Sequence, residues 1–269
     1  MPQYNLKITS YGSKEKSTVH SHPIQTGINT SAETRANYST FDAEQKAISD
    51  EKRLNRYKRI LSELREIAMM NTDLDSSVTL TFAENMTDYD MALKEFQLFI
   101  KRLRYYLYKD DLKYICTWEY QESRSRKYDI KGKVYHFHFL TNTGFIAHND
   151  LEKLWRNGFV WIDRIGTENK RLNAINYNIK YVTKEIIRQI GQGCRGKRFV
   201  FTSNNLNRPT VTTVYDPCIT IEDVIYENME NMIVDGNYKQ KDENGNILNS
   251  VDYAIYKKNE KGAISILVD

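Results

Sequence analysis

The segment from residue 135 to residue 140, Tyr-His-Phe-His-Phe-Leu, constrains the fold of this chain more than any other. Its aromatic residues predict a β-strand, in which successive side chains point to opposite faces. His136 and His138 then share one face, and Phe137 and Phe139 share the other. Two imidazoles on one face of a rigid strand suit a divalent metal. Such pairs also occur as ordinary strand histidines, so neighbouring residues must distinguish the two interpretations.

An acidic residue in the preceding predicted strand completes a candidate metal site. If the polar stretch 123–132 is the turn of a hairpin, Glu119 falls nearly opposite His136. One carboxylate beside two imidazoles gives a mixed nitrogen and oxygen triad with open positions, suited to Mg²⁺ or Mn²⁺ and a bound phosphate oxygen. Glu122, nearer the turn, is an alternative third ligand. A cross-strand ion pair is the alternative role for Glu119.

A predicted helix over residues 172–190 carries a second group of reactive side chains. Residues three and four apart are neighbours on a helix, so Tyr177, Lys180, Tyr181 and Lys184 share one surface. The reference pKa of tyrosine is about 10, so a nucleophilic phenol needs help from a cation. A phenol and an ammonium group near a metal are equipped to attack a phosphodiester. An amphipathic helix with half-buried tyrosines is the alternative.

The order of predicted elements indicates an α+β fold of the ferredoxin-like (split βαβ) kind, with a central antiparallel sheet. Strands are expected at 77–82, 113–121, 133–140 and 159–165, and helices at 88–108, 149–156 and 172–190. We expect His148 or Asn149 to cap the short helix.

The flanking regions read as extensions of this domain. Residues 1–41 are predicted to form a partly mobile arm, with a short strand at 4–10 followed by loop. A basic helix over 42–70 opens the main domain, which is expected to span 42–215. Residues 216–269 form an acidic C-terminal extension with a helix at 221–232 and short strands at 253–256 and 264–268.

The amino-acid composition limits the class of protein and the cellular compartment that we expect. The chain has 269 residues, 40% of them hydrophobic, and no apolar run approaches the ~18 residues of a membrane span. No signal-peptide plan opens the sequence, and three scattered cysteines fit a reducing cytoplasm. Residues 216–252 hold nine acidic side chains and two lysines, so the remainder of the +4 chain carries +11. A basic body is typical of nucleic-acid binding. Uneven solvated charge is the alternative.

Two polar stretches supply cations that we expect to contact DNA phosphates. The first is the turn of the hairpin, with Arg124, Arg126 and Lys127. The second is the Gly/Arg-rich stretch 191–198, for which a plain linker is the alternative; its cations are Arg195, Lys197 and Arg198.

These motifs, in this order, resemble the HUH endonuclease superfamily. They are similar in particular to rolling-circle replication-associated proteins of bacterial plasmids and phages related to filamentous-phage gene II protein, over about residues 42–215. The motifs that carry the resemblance are Val-Thr-Leu-Thr-Phe at 78–82, Trp-Glu-Tyr-Gln at 118–121, Tyr-His-Phe-His-Phe-Leu at 135–140, Trp-Arg-Asn-Gly at 155–158 and Tyr-x-x-Lys-Tyr-x-x-Lys at 177–184.

The resemblance implies roles for individual residues. It implies that His136, His138 and Glu119 bind the metal, and that Tyr181 or Tyr177 is the nucleophile helped by Lys184 or Lys180. Many relatives have a short turn between the acid and the histidine pair, whereas eleven residues, 122–132, intervene here. That departure leaves the third ligand open.

The expected activity is that of a rolling-circle replication initiator. Such an enzyme nicks one strand of origin DNA, stays linked to the 5′ end through a phosphotyrosine, and later rejoins the strand. We expect single-stranded and origin DNA as partners. The sequence carries no Walker motif, so a host helicase and polymerase are expected too. A homo-oligomer is an open alternative. The rival functions are a conjugative relaxase or single-strand transposase, and a nonenzymatic DNA- or RNA-binding regulator.

Overall fold

The computed structural model describes residues 2–26, 40–108, 110–121, 134–191, 198–241 and 245–258; within α4, defined below, the side chains of residues 185 and 188–191 are left out. The chain divides into two compact units, one formed by 50–207 and the other by 1–49 together with 208–269. Each is described by itself.

The larger unit contains a five-stranded antiparallel sheet. Its strands are β3 (Ser76–Thr81), β4 (Tyr114–Tyr120), β5 (Tyr135–Thr141), β6 (Val160–Arg164) and β7 (Val200–Thr202). They lie side by side in the order β6-β3-β5-β4-β7. The strand that carries the histidine pair is therefore central. The predicted α+β fold with a ferredoxin-like sheet is confirmed, and β7 adds a fifth strand at the β4 edge.

Helices cover both faces of this sheet. They are α1 (Ala43–Met70, which runs across the boundary between the units), α2 (Tyr89–Leu107), α3 (His148–Trp155) and α4 (Glu168–Gly191). On one face, Phe96 of α2 stacks on Phe137 with ring centroids 4.9 Å apart. Trp155 of α3 packs against Phe82 on the same side. The opposite face carries His136 and His138, and α4 lies over it.

The start of α3 differs from the sequence expectation. Ala147 is the N-cap residue and no side chain caps the helix, so the prediction of a cap from His148 or Asn149 was wrong. His148 lies in the first turn, where its Nε2 contacts the Val160 carbonyl oxygen at 3.0 Å. That contact ties α3 to β6 and takes the imidazole away from the helix end.

The loop before β6 requires a glycine. Gly158 adopts φ +145°, a region that is essentially closed to other residues. A Cβ built there would lie 2.3 Å from the Ala83 nitrogen. The backbones at 83 and 158 therefore pass too closely for any side chain at this position.

The smaller unit is a second five-stranded antiparallel sheet. Its strands are β1 (Gln3–Tyr11), β2 (Lys14–Gln25), β8 (Thr210–Val214), β9 (Met232–Lys241) and β10 (Ile247–Lys257), in the order β8-β1-β2-β10-β9. The short helix α5 (Ile221–Glu227) is opened by a capping box between Thr220 and Asp223. Val224 of this helix packs into a small core with residues that include Leu6, Ile8 and Ala254.

Several expectations for the flanking regions were wrong in detail. The stretch after β1 was expected to be loop, but residues 14–25 form β2. The predicted helix over 221–232 ends at Glu227, a 3₁₀ turn covers Met229–Asn231, and β9 begins at Met232. Strand β8, placed by sequence at the end of the main domain, pairs with β1. The expected strand at 264–268 lies outside the described residues.

Within the described parts of the chain, no helix combines the length and apolarity needed to cross a membrane.

Candidate active site

The histidine pair lies where the alternation of strand β5 places it. His136 and His138 are 8% and 4% exposed, and their rings are 6.1 Å apart on the face covered by α4. In the hairpin of β4 and β5, Glu119 pairs with His136, and Thr117 pairs with His138. The predicted position of Glu119 opposite His136 is confirmed.

Glu119, His136 and His138 form a group that could hold a metal ion. Their ligand atoms all lie within 4.8 Å of one another. Glu119 Oε1 is 3.0 Å from His138 Nε2. The carboxylate of Glu119 therefore contacts His138, although its pairing partner across the sheet is His136. Two imidazoles and a carboxylate match the ligand types of a divalent cation with open coordination positions. The donor set fits a divalent metal. Glu119 also makes the cross-strand contact with His138 Nε2, and a metal bound at that nitrogen would replace the proton between them.

A threonine on the next strand orients one of these imidazoles. Thr79 of β3 pairs with His138, and its Oγ1 lies 3.0 Å from His138 Nδ1. In the contact with Glu119, Nε2–H donates to the carboxylate, and Nδ1 accepts from the Thr79 hydroxyl. When Nε2 binds a metal, Nδ1 carries the proton and donates to the Thr79 oxygen instead. Partners of this kind fix the tautomer of metal-binding histidines. Sequence reasoning missed Thr79, because only the register of β3 against β5 gives this threonine its contact.

Helix α4 brings two tyrosines to the same group. The rings of Tyr177 and Tyr181 are 4.7 Å apart, and the centroid of each is 5.6 Å from that of His138. Tyr181 is stacked on the imidazole with an interplanar angle of 13°, whereas Tyr177 meets it edge-on at 85°. The helical spacing therefore places both phenols beside the ligand group, as predicted.

The two phenols interact with each other electrostatically. The pKa of Tyr181 is raised far above its ordinary value, first because of a side-chain hydrogen bond with Tyr177 and then because of burial. The charges of Tyr177 and Glu119 raise it further. The hydrogen bond, the burial and the two neighbouring charges all oppose the formation of a phenolate at Tyr181. Without a bound cation, Tyr181 is therefore held in its protonated, weakly nucleophilic form.

The two lysines of the helix that follow Tyr177 lie on its solvent side. Lys180 and Lys184 are both exposed, while their neighbours Ile179 and Val182 are buried against the sheet. Both side chains lie within one helical turn of Tyr181, on the part of α4 that faces solvent.

Of the cations expected to contact DNA, the structure describes one. Arg198 donates from Nε to the Val200 carbonyl oxygen at 2.7 Å, and its guanidinium lies 5.5 Å from the centre of the Phe201 ring. Its own carbonyl oxygen accepts hydrogen bonds from Trp118 and Tyr89. Arg124, Arg126 and Lys127, together with the alternative ligand Glu122, lie outside the described residues, as do Arg195 and Lys197.

The fold and the site together define a class of protein. A central strand with two inward histidines, an adjacent acid and a tyrosine helix on a ferredoxin-like sheet is the arrangement expected of a rolling-circle replication-associated protein. Residues 75–186 match the family model described as Replication-associated protein ORF2/G2P. The match over this segment confirms the resemblance to replication initiators related to phage gene II protein. The chain matches no curated protein and no solved structure.

Proposed function

We propose that this replication-associated protein is a metal-dependent, strand-specific DNA endonuclease and strand transferase that initiates rolling-circle replication. The observation that carries the proposal is the contact of both tyrosine rings with His138, itself part of the candidate metal group. Nucleophile and metal ligands thus meet on one face of the sheet. Residues 50–207 would form the nicking unit.

Three ligands are assigned to the metal, namely Glu119, His136 and His138, and Mg²⁺ or Mn²⁺ suits the set. When bound, such an ion withdraws charge from a phosphate oxygen and favours the phenolate. Once Nε2 of His138 binds the ion, the Thr79 oxygen would accept from Nδ1–H and keep the ring oriented. The buried positions of both histidines exclude bulk water from the ligands.

The tyrosines perform the covalent step. We assign Tyr181 as the principal nucleophile and Tyr177 as its neighbour and second nucleophile. The phenol oxygen loses its proton and attacks phosphorus, the bond from phosphorus to the 3′ oxygen breaks, and that oxygen leaves as a 3′ hydroxyl after taking up a proton. The 5′ end stays on the tyrosine as a phosphodiester, so its bond energy is conserved. Attack by a new 3′ hydroxyl reverses the step and rejoins DNA without ATP.

The lysines and the other cationic side chains would interact with the negatively charged phosphates of the DNA. Lys184 and Lys180, exposed beside the tyrosines, would neutralise the phosphate and the charge that develops on its oxygens. Arg124, Arg126, Lys127, Arg195, Lys197 and Arg198 are proposed to contact the DNA backbone.

The same proposal implies partner proteins and a cellular compartment for the reaction. A host helicase and polymerase would supply unwinding and synthesis. The reaction would take place in the cytoplasm, where the replicon and these host proteins meet.

The test is covalent adduct formation on DNA from the protein's own replicon. Single-stranded oligonucleotides tiling that replicon are incubated with the full chain and Mn²⁺, and a labelled protein–DNA adduct is sought on denaturing gels. We expect an adduct at one sequence, lost in EDTA and in His136→Ala, and retained in His22→Ala, where an exposed histidine of the smaller unit is removed. Adduct formation that persists in EDTA would refute the metal-dependent mechanism.

A further inference from the structure

A cleft on the opposite face of the sheet combines exposed tyrosines with cations. It is lined by Lys101, Arg102, Tyr105 and Tyr108 of α2 and its C-terminal cap, and by Leu154 and Arg156 at the end of α3. Its volume is about 570 Å³. Because α2 packs on Phe137 and Phe139, this cleft lies on the side of the sheet away from His136 and His138. It is a separate place from the candidate active site.

The tyrosines of the cleft are turned toward solvent. Tyr105 and Tyr108 are 79% and 90% exposed, and their rings lie 6.1 Å apart with a tilt of 37° between the planes. Their neighbour Tyr106 is also exposed, with its hydroxyl bonded to Asp150. The rings of Tyr105 and Tyr108 lie outside the buried core, so packing does not account for these two tyrosines.

The backbone is strained at this place. Within the described chain, the residues other than glycine with positive φ are Tyr108, at 50°, and Arg156, at 66°, and both line the cleft. Each is the left-handed cap at the end of its helix. Such conformations cost free energy and concentrate at functional sites. Here they direct an aromatic and a cationic side chain into one cleft.

The charges of the cleft favour an anion. Arg102 is committed to structure, since its Nε donates to the Leu154 carbonyl oxygen at 2.7 Å and its Nη2 to that of Trp155 at 3.2 Å. Burial lowers the pKa of Arg102, and the positive charge of Arg156 lowers it further. Arg156 and Lys101 are exposed. A phosphate between these cations would relieve the repulsion between the two guanidinium groups.

We propose that this cleft is a second binding site for single-stranded DNA, in which bases stack on Tyr105 and Tyr108 and the backbone phosphates meet Lys101 and Arg156. Exposed aromatic rings beside cations are the means by which proteins hold single strands without reading sequence. The inference rests on the proposed function, because that function makes DNA the single-stranded ligand. It would let the protein retain a flanking strand on one face while the nick is made on the other.

The experiment uses the full chain and a (dT)20 oligonucleotide with 5-iododeoxyuridine at one position. Trypsin cleaves after Arg104 and Lys109, so the three tyrosines fall in the pentapeptide 105–109. Ultraviolet crosslinking followed by mass spectrometry should attach the base to this peptide. Failure to find it among the crosslinked peptides, while others are found, would overturn the site.

A second experiment measures the affinity of the protein for single-stranded DNA. Tyr105→Ala combined with Tyr108→Asn removes both rings, and asparagine tolerates the left-handed cap. We expect this variant to bind fluorescent (dT)20 about tenfold more weakly or worse. Tyr226→Ala, which removes a tyrosine 74% exposed in α5, should bind like the wild type. Equal thermal unfolding midpoints will show that all variants are folded.

The outcomes separate this inference from the proposed function. If the wild type forms the covalent adduct but the double variant binds (dT)20 with unchanged affinity, the cleft is refuted and the nickase stands. If the crosslink and the affinity loss appear but no adduct forms, the cleft stands and the nickase is refuted.

Discussion

Tyr181 stacks its ring on the imidazole of His138, with centroids 5.6 Å apart and planes inclined by 13°. The same imidazole also contacts the edge of the Tyr177 ring, the side chain of Thr79 and the carboxylate of Glu119. One ring thus belongs both to the candidate metal group and to the packing of the candidate nucleophiles. Replacing His138 would disturb both at once, so His136 is the cleaner position for testing the metal.

Thr79 is predicted to set metal affinity through His138. Thr79→Val keeps the shape of the side chain but removes the oxygen that lies 3.0 Å from Nδ1. We expect the dissociation constant for Mn²⁺, measured by isothermal titration calorimetry, to rise about 10- to 100-fold. Thr213→Val, which changes an exposed threonine of β8 in the smaller unit, is the control and should bind Mn²⁺ like the wild type. Equal affinities in the two variants would exclude the orienting role.

The phenol of Tyr181 is predicted to respond to a divalent cation. In the metal-free protein its hydrogen bond with Tyr177 and its burial raise its pKa, so it should stay protonated above pH 10, where an ordinary tyrosine ionises. Adding Mg²⁺ should lower that pKa, because a nearby cation favours the phenolate. NMR titration of tyrosine labelled at ¹³Cζ will show this, with the signal assigned through Tyr181→Phe. A titration curve unchanged by Mg²⁺ would place the cation elsewhere.

The two tyrosines can be separated by single substitutions. Since Tyr181 is assigned as the principal nucleophile, Tyr181→Phe should lose most of the covalent adduct on an origin oligonucleotide, and Tyr177→Phe should keep much of it. Full adduct yield in Tyr181→Phe with loss in Tyr177→Phe would reverse the assignment. Partial yields in both single variants with none in the double variant would favour alternating nucleophiles.

Binding to DNA should depend strongly on salt. The part of the chain outside residues 216–252 carries +11, and neutralising phosphates releases counterions. A plot of the logarithm of affinity against that of salt concentration should fall with a slope of about −0.7 per phosphate contacted on single strands. A flat plot between low and moderate salt would show that the basic surface is not the DNA footprint.

Gly158 is predicted to be essential for stability. Gly158→Ala would force a Cβ to within 2.3 Å of the Ala83 nitrogen and hold a strained φ, so we expect a loss of about 2–5 kcal/mol in the free energy of unfolding. Gly166→Ala is the control, because a Cβ there meets nothing within 4 Å. Urea titration monitored by circular dichroism measures both. A Gly158→Ala variant as stable as the control would contradict the close backbone approach.

Sequence reasoning predicted the centre of the site because that centre depends on local periodicity. Alternation along β5 placed the histidines together, the hairpin placed Glu119 opposite His136, and the helix repeat placed Tyr177 beside Tyr181. Thr79 could not be predicted, because its contact depends on which strand lies beside β5.

Strand β2 was missed for a different reason. Its buried positions include Glu15, Ser17 and His20, which are polar. Ser17 is bonded to the Tyr256 hydroxyl, and His20 contacts Asn249. Alternating hydrophobic residues, the usual sign of a strand, are replaced here by hydrogen bonds to β10, which is more than 200 residues away in sequence. No local pattern reports such partners.

The sheet of the smaller unit takes β1 and β2 from the start of the chain and β8, β9 and β10 from beyond residue 208. On the ribosome the first hairpin therefore emerges long before its partner strands, while residues 50–207 can complete their own sheet in the interval. Translation that stops after β7 would release a polypeptide that has the histidines and tyrosines but leaves both edges of its first hairpin unpaired. Such open edges promote aggregation. The smaller unit can therefore close its sheet only after β8, β9 and β10 have been synthesised.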